Sequence, residues 1–466
     1  MKIMFQKTTY QQRRNKLRQQ VKSGIILLLG NDESPMNYTD NTYHFRQDSS
    51  FLYFFGLDFP GLIGIIDIDN GVDYVFGNDY TIDDIVWMGA QPTIKEKALL
   101  SGIDQTGSFS QAGEMIKLAY NKGRSVHFLP PYRGEHKLLL QDWCSINHSQ
   151  ANEKASVELI RAVVDQRNIK SAEEIIEIDK AASLTADMHL AAMQMTRPGM
   201  TEAEIMAIVN HVALGAGGNL SFPIIATING QTLHNHFYGN SLREGRMFLL
   251  DAGAEIESHY AGDLSSTFPV GPRFTDKQKT IYQVALDAHE HAVSLLKPGV
   301  NFRDIHLAAC TTIANGMKDL GFMKGNIEDA VQAGAHAMFF PCGLGHMMGL
   351  DIHDMEGIGE IYVGYDGKPK STQFGLKSLR LARKLEPGFV FTIEPGIYFI
   401  PQLIDKWCAE KKFTEFLNYD LLETYKDFGG CRNEENYVIT DTGARLLGKR
   451  LPKTIDKVET ERAKAF

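Results

Sequence analysis

The stretch RMFLLDAGAEIESHYAGDLSSTFPV, residues 246–270, holds two apolar runs that each carry one carboxylate. The first run, MFLL, reads as a strand and ends on Asp251. The second begins at Asp263 and leads through LSSTFPV. Gly253 and Gly262 lie between them. Successive side chains of a strand alternate between faces, so positions an even number apart share a face. A hairpin of this length can therefore bring Asp251 and Asp263 to the same side. Taken singly, each Asp also reads as a turn residue at a strand end.

Three later segments extend this pattern. GLGHMMGLDIHD (343–354) sets His346 and His353 among glycines, which let backbone approach a bound ion or substrate closely. FVFTIEPGIYF (389–399) puts Glu394 in an otherwise apolar, β-branched strand, where a carboxylate is costly unless something compensates it. CRNEENYVIT (431–440) puts Glu434 beside another strand, two residues after Arg432. The glycine loop and the acidic cluster also read as solvent-facing loops when each stands alone. Together, four carboxylates and one imidazole are hard-to-borderline donors that suit two divalent ions rather than one thiolate-held zinc. Two dications would balance the four carboxylates, which otherwise repel one another and take up protons.

Outward from these segments, the chain reads as two domains, as 466 residues exceed one ordinary core. Residues 8–22 look helical. GIILLLG (24–30), FLYFFGL (51–57), GLIGIIDID (61–69), VDYVFGN (72–78) and SVHFLP (125–130) read as strands, with helical patterns at 95–101 and 110–122. This alternation makes residues 1–170 an α/β domain. Residues 152–195 are strongly helical, and the boundary is placed near Lys170-Ser171, where Ser171 and Glu174 form a capping box. Residues 171–466 mix helices (202–214, 276–296, 303–320) with strands (247–256, 262–270, 388–394, 435–440). That composition predicts an α+β unit with long antiparallel strands. Thr201 with Glu204 and Thr275 with Gln278 are further capping boxes.

Composition narrows the function. The hydrophobic share of 43%, the charged share of 23% and the net charge of −9 are those of a soluble enzyme without a nucleic-acid-binding face. The five cysteines are widely spaced and odd in number, which argues against a disulfide framework and for a reducing, cytoplasmic setting. Ile25 to Leu29 is too short to span a bilayer, so no membrane association is expected.

The five segments resemble the pita-bread metallopeptidases, in their prolidase and aminopeptidase P branch. That family's pattern is an Asp in D-A-G, an Asp about a dozen residues on, a His in G-H-x-x-G, a Glu in x-E-P-G and a Glu in R-x-E. These fall in order on Asp251, Asp263, His346, Glu394 and Glu434. YHFRQDSSFLYFFGL (43–57) is similar to the family's N-terminal domain. The resemblance implies a pita-bread catalytic domain holding two divalent ions, manganese first, with zinc or cobalt as alternatives. It also implies cleavage of the bond before a proline. Water held between two such ions supplies hydroxide near neutral pH, and Glu394 would carry its proton to the proline nitrogen. His353 and His234 would contact substrate, with His236 as the alternative to His234, and Arg432 would orient the carboxylates. Cys342 stands where the family often has a histidine, and a neutral thiol cannot do the same proton work.

Two residues bear on peptide length and assembly. GLKSLRLARKLEPGFVFTIEPGIYFI (375–400) is closer to prolidases than to short bacterial aminopeptidases P. Its Arg380 falls where prolidases have an arginine that receives the substrate's C-terminal carboxylate, although it also reads as one solvated residue of a basic helix with Lys377, Arg383 and Lys384. Trp87 resembles a tryptophan that reaches the partner subunit's site in family dimers, or else is a core residue. A homodimer, or a tetramer, is the implied assembly. The reading is thus a Xaa-Pro dipeptidase, with a Xaa-Pro aminopeptidase acting on longer peptides as the alternative. A metal-free pita-bread module that only binds peptides is more remote, because all five ligand residues are present. A creatinase-like amidinohydrolase would lack this carboxylate set.

Overall fold

The computed structural model describes residues 3–466. The chain divides into two compact units. The first contains the described residues up to Arg167 together with Met355–Tyr362; the second contains Asn168–Asp354 and Val363–Phe466. No helix among the described residues is long and apolar enough to cross a membrane.

The first unit is built on a five-stranded mixed sheet. Its strands are β1 (Ile25–Leu29), β2 (Ile63–Asp67), β3 (Val72–Phe76), β4 (Gln105–Gly107) and β5 (Val126–His127), in the order β4-β3-β2-β1-β5. β2 runs antiparallel to both β1 and β3, whereas the edge strands β4 and β5 pair in parallel with β3 and β1. The helices are α1 (Lys7–Val21), α2 (Ser49–Phe55), α3 (Ile82–Met88), α4 (Ile94–Leu100), α5 (Phe109–Asn121), α6 (Gly134–Cys144) and α7 (Val157–Arg167). One expected strand is a helix: FLYFFGL lies on α2. The Asp48 side chain accepts from the Phe51 amide at 2.8 Å and left-handed Gly56 closes the turn. Every residue of α2 is buried. With no polar face there is no helical period to read, and an all-apolar run of seven cannot be told from a buried strand.

The long helical pattern of residues 152–195 is two helices in the structure, α7 and α8 (Ala172–Met195), broken at residues 168–171. Ser171 opens α8 with the capping box that the sequence implied. Thr201 and Thr275 do the same for α9 (Glu202–Gly215) and α10 (Asp276–Ser294). α11 (Phe302–Asp319), which packs on α10, and α12 (Ile327–Ala333) follow.

Strands of the second unit are shorter than expected. Besides β6 (Asn219–Leu220) and β7 (Ile225–Thr227), the pattern over 247–256 splits at Gly253 into β8 (Met247–Ala252) and β9 (Ala254–Glu255). β10 (Leu264–Pro269), β11 (Val390–Ile393), β12 (Gly396–Tyr398), β13 (Gly430–Arg432), β14 (Glu435–Ile439) and β15 (Ala444–Leu446) complete the set. They form the antiparallel sheets β10-β8-β7 and β11-β14-β15, with β12-β13 and β6-β9 as two-stranded pairs. α8 packs on β8 and β10, where His189 bridges the two strands. Its Nδ1 lies 2.7 Å from Ser266 Oγ and its Nε2 lies 3.1 Å from the Ala252 carbonyl. Burial pushes this imidazole down to about 4, so it stays neutral and holds the strands without charge.

Candidate metal centre

The two aspartates meet through strand register. On the β8–β10 ladder Asp251 lies opposite Ser265, and Asp263 sits two residues before Ser265. All three therefore share one face. The Asn436 side chain fixes the Asp263 backbone from β14. It accepts from the Asp263 amide at 3.1 Å and donates to the Asp263 carbonyl at 2.5 Å. The Glu434 amide donates to the Ser265 carbonyl at 3.0 Å, which brings the third carboxylate from the opposing sheet.

His346 and Glu394 are tied to each other through β11. The His346 amide donates to Thr392 Oγ1 at 3.2 Å and the Thr392 amide donates back to the His346 carbonyl at 3.0 Å. The Glu394 amide donates to the Leu344 carbonyl at 2.8 Å. Gly345 makes this approach feasible, because a Cβ there would overlap the Thr392 carbonyl oxygen. Gly345→Ala is expected to destabilise the second unit by about 1–3 kcal/mol through overpacking. Urea unfolding tests this, and an unchanged midpoint would mean that the loop yields freely.

Asp263, His346 and Glu434 offer ligand atoms within 4.8 Å of one another. His346 Nε2 lies 3.3 Å from Asp263 Oδ2 and 3.6 Å from Glu394 Oε1. His346 Nδ1 faces the Met347 carbonyl at 3.1 Å. A proton on Nδ1 leaves the Nε2 lone pair aimed at the carboxylates, the tautomer a metal-ligating imidazole uses. Asp251 Oδ1 and Asp263 Oδ1 are buried acceptors without a hydrogen-bond partner. Orphaned buried acceptors are costly, and a cation is the partner this donor set fits.

The electrostatics agree. Burial first, then the Asp251 charge, holds the Asp263 carboxyl well above its ordinary range. Burial and its three carboxylate neighbours do the same to Glu434. Glu394 is pushed up to about 7 by burial, with His346 and Arg432 opposing. Burial lowers His346, against Glu394. Four carboxylates packed this closely need protons or cations to coexist.

Arg432 is the resident counter-charge. Its Nη2 donates to Asp251 Oδ2 at 2.5 Å, its Nε to Ser265 Oγ at 2.8 Å, and its Nη1 to Tyr398 Oη at 2.9 Å. Ser265 Oγ in turn donates to Glu434 Oε2 at 2.7 Å. Burial disfavours the guanidinium charge, but Tyr398, Asp251, Glu394 and Glu434 outweigh it and keep Arg432 ionised.

These groups line a cavity of about 230 Å³ within the second unit. His234, His236, His353 and Cys342 also face it, with Phe222, Pro223 and Leu233 as apolar wall. The His353 ring lies 4.3 Å from that of His346, edge to face. A buried pair, Lys170 Nζ and Asp354 Oδ2 at 2.9 Å, anchors the loop beside His353. Burial, with the Glu394 charge beside it, pushes the Cys342 thiol up to about 12, so it is a neutral group in the wall. Arg380 does not line the cavity, yet its charge acts on both His234 and His346. Its segment is a 3-10 turn, Leu376–Ser378, followed by irregular backbone, rather than a basic helix. Trp87 belongs to α3 of the first unit and is 85% exposed, so it is not a core residue of this chain.

Sequence reading missed Ser265, Thr392, Tyr398 and Asn436. Each stood at a legible offset: Ser265 and Thr392 two residues from Asp263 and Glu394 on the same strand face, Tyr398 four beyond Glu394, and Asn436 two beyond Glu434.

Residues 177–441 match metallopeptidase family M24, and residues 10–127 match the aminopeptidase P N-terminal domain. The chain is 30% identical over 446 residues to a human Xaa-Pro dipeptidase, covering 93% of this chain and 88% of that protein. It is 29% identical over 452 residues to a probable Xaa-Pro aminopeptidase of Aspergillus niger, covering 94% and 92%. Among solved structures it is similar to zinc-substituted Escherichia coli aminopeptidase P in complex with product, at 27% identity, 99% coverage of both chains and a TM-score of 0.81. Through this match over more than half its length, the chain belongs to metallopeptidase family M24, in the branch that holds the prolidases and aminopeptidases P.

Proposed function

We propose that this metallo-exopeptidase hydrolyses the bond between the first residue and proline in Xaa-Pro dipeptides. The carrying observation is the small cavity around the carboxylate cluster; Arg380 does not line it, but its charge is a minor influence on His234 and His346. A guanidinium fork suits the free C-terminal carboxylate that a dipeptide brings beside the scissile bond. The cavity volume of about 230 Å³ supports a short substrate, being below the roughly 300–1,000 Å³ of pockets for larger ligands.

Asp251, Asp263, His346, Glu394 and Glu434 would hold two divalent ions, manganese by this donor set, with zinc or cobalt as substitutes. Bound there, the pair supplies Lewis acidity toward the scissile carbonyl and a nucleophile at neutral pH. Glu394 takes a proton from the attacking water and returns it to the departing proline nitrogen. His353 and His234 orient the substrate from the cavity wall, Phe222 and Pro223 pack against its apolar parts, and Arg432 keeps Asp251 in place. A homodimer, with exposed Trp87 at the contact, and a reducing cytoplasmic setting, with all five cysteines free, belong to the same reading.

With manganese added, Xaa-Pro dipeptides are expected to be cleaved faster than Xaa-Pro-Yaa peptides, and Xaa-Ala controls hardly at all. Arg380→Met is expected to raise KM for dipeptides about tenfold to a hundredfold, the loss of one charge-assisted pair, and to leave longer peptides nearly unchanged. Faster cleavage of the longer peptides would establish the second reading, an Xaa-Pro aminopeptidase, which the similarity to aminopeptidase P structures favours. No turnover in a chain that binds no metal would leave only a peptide-binding role.

A further inference from the structure

A second cluster of ligand atoms lies in the second unit, apart from the carboxylate cavity. His306 and Cys310 stand one turn apart on α11, on the same face. His306 Nε2 and Cys310 Sγ are 3.5 Å apart. His336 reaches them from the 3-10 turn Ala335–Met338, and one ligand atom from each of the three lies within 4.8 Å of the others. All three side chains are buried, with none more than 1% exposed.

The cluster is under-satisfied as a packing arrangement. His306 Nδ1 has no hydrogen-bond partner, and the His336 ring has no close one, its only influence of that kind being a loose approach to the Val331 backbone. Buried polar atoms are nearly always paired, and each exception calls for a cause. Phe340 packs on the His306 ring at 5.6 Å, so its neighbourhood offers hydrocarbon rather than acceptors. A cation placed among the three would use a lone pair from each imidazole and the sulfur.

We propose that His306, Cys310 and His336 form a second cation site, for zinc(II), chemically distinct from the carboxylate centre. Two imidazoles and a thiolate are the borderline-to-soft donors that zinc prefers, and the absence of a carboxylate among the three disfavours manganese or magnesium. The two centres of the chain would thus sort metals by donor type. Burial keeps both imidazoles neutral, which is their ligating form: His306 is pushed down to about 3 and His336 to about 4. Burial raises the Cys310 thiol, so zinc binding would displace its proton to solvent. The ion would tie α11 to the segment that runs from His336 to Cys342 on the cavity wall, and so brace the loop carrying His346.

Cobalt(II) is the probe, because a thiolate ligand gives it a near-ultraviolet charge-transfer band that carboxylate and imidazole ligands do not. The full-length chain loaded with cobalt is expected to show this band. Cys310→Ala should abolish it and remove one metal equivalent by elemental analysis, whereas Cys342→Ala should keep both. Absence of the band in the cobalt-loaded wild-type chain overturns the site, even if Cys310→Ala does not fold. A band that survives in Cys310→Ala and vanishes in Cys342→Ala overturns it as well. The band reports thiolate ligation alone, so the result is independent of which peptides the enzyme cleaves.

Discussion

Glu394→Gln is expected to lower kcat on the best Xaa-Pro substrate by about 10²–10⁴-fold, the range that a positioned proton carrier supplies. Glutamine keeps the shape and one carbonyl oxygen able to ligate or accept, but it cannot take a proton. The Thr392 side chain that lies 3.5 Å from Glu394 Oε1 can accommodate either residue, so folding should survive. Steady-state kinetics in saturating manganese, with metal content measured on the same sample, separates two roles. A variant that keeps its metal yet loses turnover identifies proton transfer as the missing function. A variant that also loses metal shows that ligation dominates. Turnover within a few-fold of wild type would sink the assignment of Glu394 to the chemistry.

That residue is legible in the sequence because it is anomalous. A carboxylate between Ile393 and Pro395 in an apolar strand has no local compensation, so its compensation must come from elsewhere in the chain. The Asp251 and Asp263 pair was legible for another reason: antiparallel register preserves face, and even spacing along a hairpin survives folding. Arg432 stood out by lying two residues before Glu434, but its three donors to Asp251, Ser265 and Tyr398 join strands distant in sequence, which no local pattern encodes. His306 and Cys310 have helical spacing that anyone can count. His336 joins them only because a short 3-10 turn folds back on α11, so the cluster exists at the tertiary level alone. α2 failed in the opposite direction. Its seven residues are buried on every side, and periodicity carries information only where one face meets water.

Replacing Arg432 should carry a large stability effect. Its guanidinium is buried with the carboxylates it compensates, and removing one partner of a buried ion pair typically costs about 3–5 kcal/mol. Arg432→Met, prepared free of metal, is expected to lose stability on that order in urea unfolding, because Asp251 and Glu434 then face each other without a resident cation. Arg432→Lys should recover little of the loss. An ammonium keeps the charge but cannot span Asp251, Ser265 and Tyr398 at once, as the planar fork does. Manganese should restore part of the stability of both variants, since an ion that binds only the folded state stabilises it by mass action. The recovery should rise with metal concentration and vanish with chelator. If Arg432→Lys were as stable as wild type without metal, charge alone would suffice, and the three-way hydrogen bonding would not be what holds the site together. If manganese gave no recovery to Arg432→Met, the carboxylates would not be binding the ion through the charge that Arg432 balances, and the metal-centre assignment would fall with it.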